Sequence, residues 1–114
     1  MDEPTFRSEV TEATDHVEGA HRLVARGDID IQSAPLLAQE FDRLIDAGAV
    51  LVVLDAGDVT FVDSSGIRVI VDAGNRLRER GGRLLIERVS AAMERILEVA
   101  GLIDHYRSGP DPSG

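Results

Sequence analysis

A change of hydrophobic period constrains the fold of this chain more than any other sequence feature. Residues 50–54 are apolar at five successive positions, as expected of a strand that is covered on both faces. From Ile67 onward the apolar positions recur at i, i+3, i+4, i+7 and i+10, which is one face of a helix. Residues 58–66 therefore convert a buried strand directly into a helix, and such a unit is typical of an α/β fold.

The first part of the chain predicts a pair of strands and a helix. Residues 1–18 carry six acidic residues against one arginine and alternate weakly, so they form either an edge strand or a loose arm. A second strand over residues 21–26 follows so closely that an antiparallel hairpin is favoured. Ser33 and the proline two positions later predict a helix start, and Gly48 ends that helix.

The chain continues to alternate after the central helix, which we expect over residues 65–80. Two successive glycines close that helix and lead into a short apolar strand at residues 84–86. Ser90 can cap a last helix, whose end is marked by another glycine. The sequence also allows a final short strand near residues 105–106.

These elements predict one α/β domain. Strands that alternate with helices pair in parallel, so the expected fold is a small mixed β-sheet with an antiparallel N-terminal pair and helices packed mainly on one side. The 114 residues are enough for one core and too few for two ordinary domains, so we assign residues 1–108 to it. Residues 109–114 have no apolar side chain, and we expect a disordered tail there.

The composition argues against several classes of partner. A formal net charge of −9 opposes direct binding to nucleic acid or to an anionic membrane, because both would repel the average surface. No apolar run reaches the ~20 residues of a membrane span, and the first residues lack a signal peptide, so a cytoplasmic protein is the simplest interpretation. The chain has no cysteine, and its histidines and acidic residues lack metal-ligand spacing, so we expect no metal and no cofactor.

The turn into the central helix carries two serines and a carboxylate. The first backbone N–H groups of a helix lack intrahelical partners, so a hydroxyl of Ser64 or Ser65 can cap them, and a phosphoryl group there would meet the positive end of the helix dipole. A nucleophilic serine is not indicated, because the G-x-S-x-G pattern is absent and no histidine is clearly placed for a triad. We therefore expect no enzymatic activity, and a serine that is either a helix cap or a site of modification.

The same turn resembles the signature of the anti-sigma factor antagonists, bacterial members of the STAS domain superfamily. Residues 61–67, Phe-Val-Asp-Ser-Ser-Gly-Ile, are similar to the family's Asp-Ser-Ser/Thr-Gly-Leu/Ile motif. Residues 27–30, Gly-Asp-Ile-Asp, are similar to its Gly-Glu-Ile/Leu-Asp segment, and the Gly-Gly pair and residues 100–102 match in order. The resemblance covers about residues 6 to 107 and implies a STAS-like fold.

The resemblance implies a partner-switching regulator. In that family the unphosphorylated antagonist binds an anti-sigma factor that is a serine kinase, and a sigma factor is released. The kinase phosphorylates the first serine of the signature, which ends binding, and a serine phosphatase restores it. Carried over to this sequence, Ser64 is the phosphorylation site, and the partner-binding residues are Asp28, Asp30, Asp63, Ser65, Gly66, Ile67 and Arg68.

Three alternatives stay open on the sequence alone. Asp28 and Asp30 are either turn residues or contacts that face the kinase. Arg68 stands where many family members have a small residue, and it either pairs with a phosphate or selects a particular kinase. The whole chain is alternatively a STAS accessory or scaffold subunit of a stress-signalling or lipid-transport complex, without a phosphoswitch.

Overall fold

The computed structural model describes residues 6–13, 19–103 and 105–106, which form a four-stranded sheet and three helices. The elements in chain order are β1 (Arg7–Glu12), β2 (Ala20–Ile29), α1 (Ala34–Asp46), β3 (Leu51–Val62), α2 (Ser64–Glu79), β4 (Arg83–Glu87) and α3 (Ala91–Val99). The strand order is β1-β2-β3-β4, with β1 antiparallel to β2 and the other two pairs parallel. The predicted mixed sheet with an antiparallel N-terminal pair is confirmed.

Three predictions concern the two ends of the chain: the first strand, a last strand and a C-terminal tail. β1 is an edge strand, so this alternative holds for residues 7–12 rather than the loose arm. The predicted strand near residues 105–106 is wrong for these two residues: the Tyr106 carbonyl accepts one hydrogen bond from Ile86 N, at 2.7 Å, and no strand forms there. The predicted tail at residues 109–114 lies outside the described residues.

All three helices contribute to one hydrophobic core on a single face of the sheet. Phe41 of α1, Leu77 of α2 and Leu97 of α3 are each at most 1% exposed and share one cluster with inward-facing residues of the strands. A smaller cluster of buried residues contains no helical residue and lies on the opposite face; its members are Ala13, Ala20, Leu51, Val53 and Leu85. Apolar side chains on both faces of β3 explain its continuous hydrophobic run.

Irregular pairing between β2 and β3 positions the loops that follow them. The register shifts twice along this pair, between Val24 and Arg26 and again after Gly27. Beyond the second shift, Ile29 pairs with Val62, and Asp63 N donates to Ile29 O at 3.2 Å. The β2–α1 loop and the β3–α2 turn therefore lie side by side, at the end of the sheet where the parallel strands β2 and β3 finish.

Candidate partner-binding site

Asp63, rather than a serine, caps helix α2. Its backbone is extended, with φ −114° and ψ −170°, and its Oδ1 accepts hydrogen bonds from Ser65 N at 2.8 Å and Gly66 N at 3.4 Å. The predicted serine cap was therefore wrong. A capping side chain must come from the residue before the first helical position, and Ser64 already occupies that first position.

Capping by Asp63 leaves Ser64 free. Ser64 is exposed, and within the described part of the chain its hydroxyl group has no hydrogen-bonding partner. The hydroxyl group lies at the first turn of α2, where the helix dipole is positive. An enzyme can therefore reach this oxygen without first breaking a contact that holds the helix.

Gly66 fixes the height of the first turn of α2 above the sheet. A Cβ at this position would lie 2.6 Å from Ile29 Cγ2 and 2.8 Å from Val62 Cγ2, both closer than van der Waals contact. Ile29 and Val62 are buried and branched at Cβ, so they cannot easily move aside. Only glycine lets the helix sit directly on the ends of β2 and β3 and hold Ser64 at the surface.

Asp30 organises the neighbouring loop. Its Oδ1 accepts hydrogen bonds from Gln32 N and Ser33 N, each at 3.0 Å. These bonds, above all the one from the Ser33 backbone, lower the pKa of Asp30. Ser33 Oγ donates to Asp28 O at 2.7 Å and accepts from Asp30 N at 2.9 Å. Ser33 is the N-cap residue of α1 as predicted, but its side chain serves this loop and makes no cap hydrogen bond.

Asp28 ties β2 to the far end of β3. Its Oδ1 accepts a hydrogen bond from Thr60 Oγ1 at 2.6 Å, and it pairs in register with Phe61. Asp30 therefore has the role of a turn residue, whereas Asp28 is a strand residue whose side chain holds β3. Both are also partly exposed at the loop edge, beside the first turn of α2.

The sequence did not predict three exposed apolar side chains in the segments next to the β3–α2 turn. Phe61 is 48% exposed, Ile31 is 75% exposed, and Leu36 at the start of α1 is 48% exposed. The available signal was Ile31, an isolated large apolar residue between acidic and polar neighbours in a loop. We call Asp28, Ile31, Phe61 and Ser64 together the Ser64 surface.

The remaining residues of the predicted site divide between the surface and the core. Arg68 is exposed, one helical turn after Ser64. Ser65 is partly buried, with its backbone N–H held by Asp63. Ile67 is also partly buried and packs against the main core, so most of its side chain supports the fold. Within residues 6–13, 19–103 and 105–106, no group of three or more His, Asp or Glu side chains could hold a metal ion.

Removal of the Asp63 cap tests this description of the turn. We expect Asp63→Ala to lower the free energy of unfolding by about 1 kcal/mol, because two backbone N–H groups lose their acceptor. Asp63→Asn is the matched control, since an asparagine oxygen caps about as well, and it should keep most of the stability. Denaturation by urea measures both. Equal losses in the two variants would show that charge, and not capping, is what Asp63 supplies.

A family model described as Mlab, STAS domain, matches residues 12–105, and this chain belongs to the STAS domain family. The anti-sigma-B factor antagonist of Bacillus subtilis strain 168 is 35% identical over 78 residues, which are 68% of this chain and 71% of that protein. The anti-sigma-B factor antagonist of Listeria monocytogenes serovar 1/2a is 29% identical over 91 residues, or 80% of this chain and 76% of that protein.

Solved structures show the same fold. An anti-sigma factor antagonist from Mycobacterium paratuberculosis superimposes with a TM-score of 0.76 at 20% identity, covering 96% of this chain and 89% of the other. SpoIIAA in its unphosphorylated form has a TM-score of 0.75 at 15% identity, covering 94% of this chain and 90% of its own. The phosphorylated form of SpoIIAA, from Bacillus, has a TM-score of 0.71 at 16% identity, covering 94% of both chains. The predicted STAS-like fold and family resemblance are thereby confirmed.

In the described part of the chain, no helix is both long enough and apolar enough to cross a bilayer.

Proposed function

We propose that this protein is an anti-sigma factor antagonist that is switched by phosphorylation of Ser64. Its unphosphorylated form binds an anti-sigma factor that is a serine kinase, and a sigma factor is released. The kinase then phosphorylates Ser64 and the complex separates, and a serine phosphatase restores binding. The observation that carries the proposal is the exposed hydroxyl of Ser64, which has no hydrogen bond to any described residue and lies on a turn that Asp63 caps. The chain is also similar to named anti-sigma-B factor antagonists.

The Ser64 surface has the composition of a protein interface. Phe61 and Ile31 supply exposed apolar area, and aromatic side chains are enriched where proteins bind each other. Asp28 and Asp30 lie beside this apolar area and give it a negative rim. We propose that the kinase covers these residues together with Asp63, Ser65, Gly66, Ile67 and Arg68.

A phosphate on Ser64 acts differently in the free domain and in the complex. Phosphorylation adds a charge of about −1.5 to −2 at neutral pH. At a solvent-exposed helix N-terminus this charge gains about 0.3–1 kcal/mol, so the isolated domain tolerates it. In a complex the same charge would lie against Asp63 and lose its water, and both effects oppose binding. The phosphate therefore acts on the interface and leaves the fold nearly unchanged.

Structures of the same fold support this separation of effects. SpoIIAA has been solved in unphosphorylated and phosphorylated forms, and both superimpose on this chain with TM-scores above 0.7. A fold that persists with and without a phosphate is suited to a switch that acts at its surface.

The other components of the cycle follow from this role. ATP and magnesium belong to the kinase, so we propose that this chain needs no cofactor and performs no catalysis. We propose one domain over residues 1–108, with residues 109–114 as a tail, and a cytoplasmic location where a sigma factor would be found. DNA and membranes are not direct partners in this proposal, since the net charge of −9 opposes both.

Labelling by candidate kinases tests the proposed function. The protein is incubated with candidate anti-sigma factor kinases and ATP, and modified peptides are mapped by mass spectrometry. We expect one phosphate, on Ser64, because this hydroxyl is the accessible one on the turn. Ser64→Ala should abolish labelling and retain kinase binding, whereas the matched control Ser65→Ala should still be labelled.

Three results would contradict the proposal. Labelling of Ser65 alone, or normal labelling of Ser64→Ala, would show that the site is wrong. Binding to none of the candidate kinases, together with no labelling, would favour the accessory or scaffold subunit without a phosphoswitch.

A further inference from the structure

On helix α2, a row of three charged side chains follows Ser64. Ser64, Arg68, Asp72 and Arg76 follow one another at intervals of four residues, so each lies one turn above the last. Arg76 pairs with Asp72 on its own helix at 3.7 Å and with Asp42 of α1 at 2.5 Å. Arg68 is exposed and has no ion pair within the part of the chain that the structure describes. The row therefore contains one unpaired cation, one turn from the proposed phosphorylation site.

The neighbouring carboxylates do not compete strongly for Arg68. Arg68 lines a groove of about 300 Å³ between α1 and α2, whose other charged residues are Asp42, Asp72 and Arg76. Both of these acidic residues pair with Arg76. In helices an acidic residue stabilises a basic residue better when it lies four positions before it than when it lies four positions after it. Asp72 follows Arg68 and is in the weaker order, whereas an acidic group at residue 64 would be in the stronger order.

The direction of helical side chains brings the two groups together. Long side chains in a helix point back towards its N-terminus and lie over the preceding turn. An arginine at residue 68 that follows this tendency lies over the turn that contains Ser64. A planar guanidinium group offers two parallel N–H donors, which match the oxygens of a phosphate.

We infer that Arg68 is the intramolecular partner of a phosphate on Ser64. The inference rests on the proposed function, because it requires Ser64 to be phosphorylated. The ion pair offsets the repulsion between the phosphate and Asp63 in the free domain, so the released, phosphorylated form satisfies its new charge within its own chain. Without the phosphate, Arg68 has no ion pair with any residue that the structure describes. Arg68 therefore responds to the state of Ser64, in addition to lying within the surface that the kinase is proposed to cover.

The experiment places phosphoserine at residue 64 during translation, by stop-codon suppression, so that no kinase is needed. Phosphorus NMR then follows the second pKa of the phosphate in the wild-type chain and in Arg68→Gln. We expect this pKa to be lower in the wild-type chain by about 0.2–0.4 unit, the shift that corresponds to an exposed ion pair at i,i+4. The direction follows because a nearby cation favours the dianion.

Three further measurements separate the ion pair from a general loss of charge. Arg95→Gln removes the same charge from α3, and it should leave the phosphate pKa unchanged. Salt at about 1 M shortens the screening length to about 3 Å, so the difference between wild type and Arg68→Gln should shrink. Arg68→Lys should give an intermediate shift, since its ammonium keeps the charge but loses the two-pronged geometry.

Equal phosphate pKa values in the wild-type chain and in Arg68→Gln would overturn the inference, and so would an equal shift in Arg95→Gln. Loss of kinase binding in Arg68→Gln with an unchanged phosphate pKa would also overturn the inference, because it would assign Arg68 to the kinase contact alone. Because the phosphate is installed without a kinase, this result is independent of whether Ser64 is labelled in the test of the proposed function.

Discussion

Phosphoserine at residue 64 is expected to weaken binding to the proposed anti-sigma factor kinase by about 100-fold or more. Like charges and lost hydration in an interface cost several kcal/mol, and each ~1.4 kcal/mol is tenfold in affinity. The dianion would be buried against Asp63, whose carboxylate already holds the first turn of α2. Calorimetry or surface plasmon resonance with a kinase that binds the unmodified chain measures the change.

The same phosphate should barely change the stability of the free domain. We expect its thermal unfolding midpoint to move by no more than a few degrees, because Ser64 is exposed and the helix N-terminus favours negative charge. Ser64→Ala serves as the neutral control and should bind the kinase like the unmodified chain. Tight binding by the phosphorylated chain would contradict the release mechanism, and a large loss of stability would show that the phosphate acts on the fold instead.

Substitution of Gly66 by alanine should destabilise the domain by about 2 kcal/mol. Overpacking of a tight contact typically costs about 1–3 kcal/mol, and here the new Cβ would meet side chains from two strands. It would stand 2.6 Å from Ile29 Cγ2 and 2.8 Å from Val62 Cγ2, well inside contact distance. The higher helix propensity of alanine returns at most about 1 kcal/mol. Urea denaturation of Gly66→Ala against the wild-type chain measures the difference.

Ser64→Ala is the matched control for this substitution, because it places an alanine two residues earlier on the same turn. Its free energy of unfolding should stay within about 0.5 kcal/mol of wild type, as for most exposed positions. If Gly66→Ala were as stable as Ser64→Ala, then α2 would not be seated on the ends of β2 and β3 as the structure shows. A displaced first turn would also be expected to weaken kinase binding in Gly66→Ala.

The site was only partly predictable from the sequence. The position of Ser64 at a strand-to-helix turn followed from the local change of period, because strands and helices repeat their apolar residues at different intervals. The capping residue did not follow. A serine and an aspartate cap equally well, and the choice depends on which residue is the last with extended backbone. Contact of the turn with Ile29 O is part of what sets that boundary at Asp63.

The loop that follows β2 was also only partly predictable from the sequence. Gly27, Asp28 and Asp30 marked a turn by composition, but β2 continues through Ile29, and the turn begins only at Asp30. The hydrogen bond from Thr60 to Asp28 joins residues 32 positions apart, and it depends on register shifts between β2 and β3. Nothing in the local pattern of either strand fixes such a register.

The sequence by itself determined the α/β class, the antiparallel start of the sheet and the turn that presents Ser64, because each depends on periodicity and turn residues over short distances. The tertiary structure alone decided that Asp63 frees Ser64 by capping the helix, that Phe61 and Ile31 are exposed near the same turn, and that Arg68 has no ion pair among the described residues. These features depend on contacts between segments that are distant in the chain. Such contacts are set by the packing of helices on the sheet and by strand register, which no local pattern encodes.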